Sequence, residues 1–194
     1  ALFDKVTAGP KYEATVERDL AAAKAAVKRG YLLCKFRRED FAPDRKNSRN
    51  QGVYPLYPGY DWGSITVWAW THQLVLDALD RLGHADLDRI VATGHSRGGQ
   101  TAMAAGIFDE RIDVVVPCTG GYGACGTLRI RDPEGVRGTM DYIAHQKKYV
   151  PHWFTERYFE FAGNQECLPF DAHTLVSLIA PRPLFVDSGS RDPS

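Results

Sequence analysis

Apolar positions recur at helical spacing over residues 16–29, where Val16, Leu20, Ala23 and Val27 share one stripe and Gly30 supplies a stop. The run YLLCKF at 31–36 is short and apolar, which predicts a buried strand. A polar stretch over 37–61 follows, rich in Pro, Gly, Asn and Tyr. Loops of that length inside a compact domain are usually functional or mobile. A second stripe carries Ile65, Trp68, Ala69, His72, Leu76 and Leu79, predicting a helix capped by Ser64 and ended by Gly83. RIVAT at 89–93 reads as a strand and runs at once into Gly94-His95-Ser96-Arg97-Gly98. The small residues TAMAAG, from Thr101, predict a helix packed closely on a sheet. Residues 112–116 form another β-branched run, and 184–186, after Pro181-Arg182-Pro183, a third strand. Alternating helices and fully apolar strands define an α/β protein whose parallel sheet is covered on both faces.

The length of 194 residues suits one domain with a substantial core. Formal net charge is zero, so neither a nucleic-acid partner nor an acidic disordered tail is indicated. Arg37, Arg38, Arg45, Lys46 and Arg49 make a local basic stretch, but Glu39, Asp40 and Asp44 interrupt it. A solvated loop is expected there rather than a surface for an anionic ligand. No apolar run approaches the ~20 residues that span a bilayer, so no membrane partner is expected. ALFDKVTAGP at 1–10 has no signal-peptide pattern, as a mature or truncated chain would not. Cys34, Cys118, Cys125 and Cys167 lack paired metal-ligand spacing, and no metal or organic cofactor is expected. Cys34, inside the apolar run, is expected to be a buried thiol. The other three leave their disulfide state open.

Gly-His-Ser-Arg-Gly matches a pattern that a chain of this length carries by chance in roughly 5–10% of cases. Its context raises the value. A nucleophile elbow needs a strand before it, a helix after it and small residues where the turn is tight. RIVAT precedes, GGQTAMAAG follows, and Gly94 and Gly98 stand at the crowded positions. Ser96 is therefore the candidate nucleophile. A serine hydroxyl needs a histidine base, which in turn needs a carboxylate to orient it. Chain order in such elbows is serine, acid, histidine, and His145, His152 and His173 follow Ser96. The backbone N–H of Arg97 stands where an oxyanion donor is required.

The blocks WGSITVWAW (62–70), VATGHSRGG (91–99), DERI (109–112), HWF (152–154) and LPFDAHTLVSLIAPRPLFV (168–186) together resemble the glucuronoyl esterases. These are carbohydrate esterases that cleave esters of glucuronic acid. The resemblance runs from about Gly59, and more loosely through the upstream helix and 31–36. It implies an α/β-hydrolase three-layer sandwich with a mostly parallel sheet, incomplete at both ends, over a single partial domain at 1–194. It implies that Ser96 attacks an ester carbonyl, with the Arg97 guanidinium helping to stabilise the oxyanion. The alternative for Arg97 is a surface ion pair.

Some members carry the triad acid where this chain has Thr119, which cannot stabilise an imidazolium by charge. Others carry it after the next strand, where Asp192 stands at the matching spacing from Pro181-Arg182-Pro183. Asp192 is favoured over Asp187, with a turn before Pro193 as the alternative role. The family's histidine lies well beyond this acid, so the chain reads as part of a longer enzyme whose base falls past Ser194. Upstream strands of the family also look absent or shortened. His173 is expected to sit at a helix start and His95 to pack in the elbow.

Gln100 stands where the family usually has a lysine that contacts sugar hydroxyls. Its amide keeps hydrogen bonding but loses the charge, so Gln100 is the substrate-binding candidate. Trp62, Trp68, Trp70 and Trp153 could include a sugar-stacking face, with core as the default for Trp68 and Trp70. The expected function is serine ester hydrolysis of (4-O-methyl-)glucuronate in lignin–carbohydrate or related polysaccharide. An acetyl-xylan type esterase, or a non-catalytic carbohydrate-binding relative, is the alternative. A monomer is expected, and the resemblance implies that it is secreted or periplasmic.

Overall fold

Glycine ends both of the amphipathic stripes by taking up a backbone conformation that side chains resist. In the computed structural model, which describes residues 20–83, 85–118, 124–129 and 141–188, residues 20–28 are helical (α1) and Gly30 follows at φ 85°. Ser64–Leu82 forms α2, closed by Gly83 at φ 63°, whose N–H donates to the carbonyls of Leu79 and Asp80. This is the left-handed stop that glycine adopts without steric cost.

Contacts divide the chain into two compact units, residues 1–36 and 37–194. In the first, 31–36 forms no strand. Tyr31, Leu32 and Leu33 are exposed, and so is the Cys34 thiol that was expected to be buried. An apolar run becomes a buried strand only where a sheet takes up its backbone groups, and here none does. All four cysteines are free.

The second unit is built on parallel pairing. β1 (Val91–His95) lies beside β2 (Val114–Cys118), with Val91 opposite Val114 and His95 opposite Cys118. Both begin two residues later than the apolar runs suggest, because Asp113 closes the ladder. Its carboxylate accepts the Ile90 N–H at 2.7 Å, while the Ile90 carbonyl takes the N–H groups of Asp113 and Val114. The third expected strand joins the far side of β2 as two parallel bridges, Val115 to Leu184 and Cys118 to Asp187. Val115 donates to the Pro183 carbonyl at 3.1 Å and accepts from Phe185 at 3.0 Å.

Between the strands runs α3 (Arg97–Phe108), which starts four residues before the expected Thr101. Its small residues permit close packing: a Cβ on Gly106 would stand 2.3 Å from Val115 Cγ2. Ala69 and Leu76 of α2 complete this core with Ala92, Ala102, Met103, Ile112, Val115 and Ile179. One face of the sheet is thereby buried. The other is not covered by the described residues, as Val91 at 47% exposure shows; this departs from the expected burial on both faces. Three shorter helices follow, α4 (Tyr142–Tyr149), α5 (Glu156–Phe159) and α6 (Ala172–Ser177). Leu128, Tyr142, Ile143, Phe159 and Leu168 form a separate apolar cluster among them. Buried Asp171 fixes α6 by accepting the N–H groups of Leu128, Arg129 and Ala172.

Arg182 ties the third strand to the end of α3. Its guanidinium donates to the carbonyls of Gly106 (2.7 Å), Ile112 (2.9 Å) and Asp109 (3.1 Å). Charge-assisted bonds at a helix C-terminus are stabilising. Arg182→Ala is expected to lower unfolding free energy by about 2 kcal/mol in a denaturant titration. Arg182→Lys is expected to recover little of it, since one ammonium cannot span the three acceptors.

Candidate active site

The chain leaves β1 and enters α3 through a single residue, Ser96, whose backbone is at φ 56°, ψ −124°. For a residue with a side chain this conformation costs about 1–3 kcal/mol and needs surroundings that enforce it. They are present. Ser96 N–H donates to the Cys118 carbonyl at 3.0 Å, and the Ser96 carbonyl accepts from Gly99 at 2.8 Å and Gln100 at 3.1 Å. A Cβ on Gly94 would lie 2.4 Å from the Gly98 carbonyl oxygen, so residue 94 must be glycine. Gly98 itself is not crowded in this way. A Cβ there would meet only Arg38 Nη1, at 3.6 Å.

Arg97 opens α3. The first amide groups of a helix have no intrahelical acceptor and favour negative charge, which suits the Arg97 N–H to an oxyanion. Its side chain reaches Asp44, and the guanidinium lies 5.2 Å from the centre of the Trp153 ring. Asp44 Oδ2 accepts from Arg97, while Oδ1 accepts from His152 Nε2 at 2.9 Å and Trp153 Nε1 at 2.8 Å. Burial would raise the Asp44 pKa, but the hydrogen bonds from Trp153, His152 and Arg97 outweigh it and hold the carboxyl below its ordinary value.

Backbone contacts hold the other side of this cluster. The His152 carbonyl accepts the Ser64 N–H at 2.8 Å, and the Trp153 carbonyl stands where a Cβ on Gly63 would approach to 2.1 Å. Gly63 is the residue that caps α2, and Ser64, expected in that role, is the first helical residue. The Ser64 hydroxyl is buried against Tyr54 Oη at 3.1 Å instead. On the loop side, the Ala42 carbonyl accepts from Trp68 Nε1 at 2.8 Å, and Lys46 Nζ donates to the Lys148 carbonyl at 2.8 Å. These contacts tie Ala42 to α2 and Lys46 to α4, while Arg37, Arg45, Lys46 and Arg49 are exposed, as a solvated loop requires. Arg38 lies over Trp68 and Arg49 over Tyr54.

Ser96 and Arg97 are thus placed together, and Gln100 follows one turn along α3 at 8% exposure. Asp192 and Thr119 lie outside the described residues. Asp187 is exposed beside Cys118, and His173 is exposed at the start of α6. His95, expected to pack in the elbow, is exposed because it alternates with Ala92 and Gly94 along β1. Trp68 is fully buried, whereas Trp70 is only half-buried, in a ring cluster with Tyr57 and Trp62. Asp44 and His152 went unassigned in the sequence. The signal for Asp44 was a long loop, and for His152 the HWF block. Among the described residues, no histidine is hydrogen-bonded to the Ser96 hydroxyl.

A strained serine between a parallel strand and a helix defines an α/β-hydrolase, the fold of the solved structures that this chain matches. The chain belongs to the glucuronyl esterase family, whose fungal profile matches residues 8–193. A 4-O-methyl-glucuronoyl methylesterase from Sodiomyces alcalophilus is 35% identical over 87% of this chain and 35% of its own length. A carbohydrate esterase family 15 glucuronoyl esterase from Caldicellulosiruptor kristjansonii is 33% identical, with a TM-score of 0.75, over 84% of this chain and 46% of that one. A glucuronoyl esterase from Sporotrichum thermophile was solved in complex with methyl 4-O-methyl-β-D-glucopyranuronate. It is 26% identical, with a TM-score of 0.62, over 78% of this chain and 43% of its own. The chain spans about a third of the length of the curated relatives it matches, 35% and 36% for the first two.

The two glycines of the elbow are expected to respond differently to substitution. Gly94→Ala drives a Cβ into backbone and is expected to cost about 3 kcal/mol of stability, read as a denaturation midpoint. Gly98→Ala is expected to stay within about 1 kcal/mol. Asp44 predicts an acid limit. Its folded pKa is lowered, so its contribution is complete above the unfolded value of about 3.9 and is lost as pH falls through the folded one. The stability difference between wild type and Asp44→Asn is therefore expected to be constant near neutrality and to shrink below about pH 4.

Proposed function

We propose that the protein carrying this chain is a serine carboxylic ester hydrolase that cleaves esters of glucuronic or 4-O-methyl-glucuronic acid. The observation that carries this reading is the enforced φ of Ser96 at the strand–helix turn, with Arg97 beside it, in a chain of the glucuronyl esterase family. Relatives named for glucuronoyl methylesterase activity support the substrate class.

Ser96 Oγ attacks the ester carbonyl carbon while its proton passes to a histidine base. The carbonyl oxygen becomes an oxyanion facing the Arg97 N–H and guanidinium, a kind of donor that contributes on the order of 3–4 kcal/mol. Collapse expels the alcohol, which takes the proton, and leaves the glucuronoyl group on Ser96. Water then attacks that acyl group by the same path and restores the hydroxyl. Asp192 is the acid that orients the base, and Gln100 offers a neutral amide to sugar hydroxyls. The chemistry asks for no metal or organic cofactor, and the protein acts as a monomer. A polymeric cell-wall substrate implies a secreted or periplasmic enzyme.

A second reading, an acetyl ester of a sugar as substrate, is favoured by Gln100 in place of the lysine the family usually carries. Steady-state kinetics on the protein at the full length of its reading frame separates the two. Methyl or benzyl glucuronate is expected to exceed acetylated xylose in kcat/KM by about tenfold or more, a modest specificity difference. Ser96→Ala is expected to lower kcat by about four orders of magnitude. Preference for the acetyl ester would overturn the first reading, and full activity of Ser96→Ala would overturn both.

A further inference from the structure

Arginine beside a nucleophile is useful only if its guanidinium is held. The Arg97 side chain is 44% exposed, and an exposed arginine otherwise samples many rotamers, with a corresponding entropy cost on ordering. What holds it is Asp44, from a loop 53 residues upstream. We propose that Asp44 is a positioning residue of the active site, setting the Arg97 guanidinium for the oxyanion that forms at Ser96.

The pair has the construction that such a task needs. Asp44 Oδ2 receives Arg97 Nη1, and Oδ1 is occupied by Trp153 Nε1 and His152 Nε2, so the carboxylate cannot rotate without losing two further bonds. Its side chain is only 13% exposed. The backbone on either side is pinned, at Ala42 by Trp68 Nε1 and at Arg45 by the Ser48 hydroxyl at 2.8 Å. The Trp153 ring stacks against the same guanidinium that the carboxylate holds, which limits its tilt. One nitrogen of Arg97 makes the contact to Asp44, and a guanidinium fork has five N–H donors. The pairing orients Arg97 without exhausting its donors.

This inference rests on the esterase reading for its kinetic consequence, but the positioning can be observed without turnover. In the full-length protein, nitrogen-15 spectra of the Arg97 side chain are expected to show separate Nη signals, because the Asp44 contact hinders rotation about Cζ–Nη. Asp44→Asn is expected to merge them. Averaged signals in the wild type would overturn the proposal without any variant, even if Asp44→Asn failed to fold. On methyl glucuronate, Asp44→Asn is expected to lower kcat by about 10- to 100-fold while KM changes less than about threefold. The double variant Asp44→Asn/Arg97→Ala is expected to be no slower than Arg97→Ala alone, since the two act as one unit. Additive losses would overturn the proposal by showing that Asp44 acts apart from Arg97. Absence of turnover in the wild type would reject the esterase reading, while the side-chain spectra still decide the placement of Arg97.

Discussion

Ser96 N–H bonds to the Cys118 carbonyl while Gly94 lies against the Gly98 carbonyl with no room for a Cβ on residue 94. The positive φ of Ser96 follows from this close approach. It lets β1 end and α3 begin without a spacer, and it aligns the first amides of α3 beside the serine. The remaining architecture serves the same turn. β2 supplies the carbonyl that Ser96 needs, Gly106 lets α3 lie directly on Val115, and Arg182 locks the last turn of α3 to the third strand. A strain of a few kcal/mol can persist only where neighbouring packing leaves no cheaper arrangement.

Asp44 is a second point of convergence, and it is electrostatic. One carboxylate joins the loop after residue 36, the HWF segment and the start of α3. Several hydrogen bonds to a single ionised group are stronger than neutral ones, and they keep Asp44 charged in spite of burial. Removing it would leave the donors of His152 and Trp153 without their acceptor. The close contact of Gly63 with the Trp153 carbonyl extends the connection to the start of α2. The WGS and HWF blocks are far apart in sequence, but they meet here.

Local signals in the chain were legible wherever one residue type answers one geometric need. Gly83 as the stop of α2, Gly94 in the elbow and the small residues of α3 are of that kind. Strand positions were read two residues early because Ile90 and Ile112 look like strand interior, while the Asp113 carboxylate intervenes at the start of the ladder. The run at 31–36 misled for a different reason: apolar character gives no information about whether a sheet neighbour is there to bond it. Ser64 looked like a cap, yet carbonyls from a distant segment do that work and its hydroxyl turns to Tyr54. Asp44 was the least legible, since an acid among arginines in a loop reads as a solvated charge until the fold brings Arg97 to it. Ser96 and Arg97 were legible as candidates because their signal is local; the contacts around them depend on segments far apart in the chain.

The proposed chemistry depends on Ser96 being a nucleophile, and covalent capture tests that most directly. The protein at the full length of its reading frame would be treated with a fluorophosphonate, and the adduct located by peptide mass mapping. One phosphonyl group on the peptide bearing Ser96, absent from Ser96→Ala, is the predicted result. A correctly folded wild type that stays unmodified, or carries the group on another residue, would contradict it.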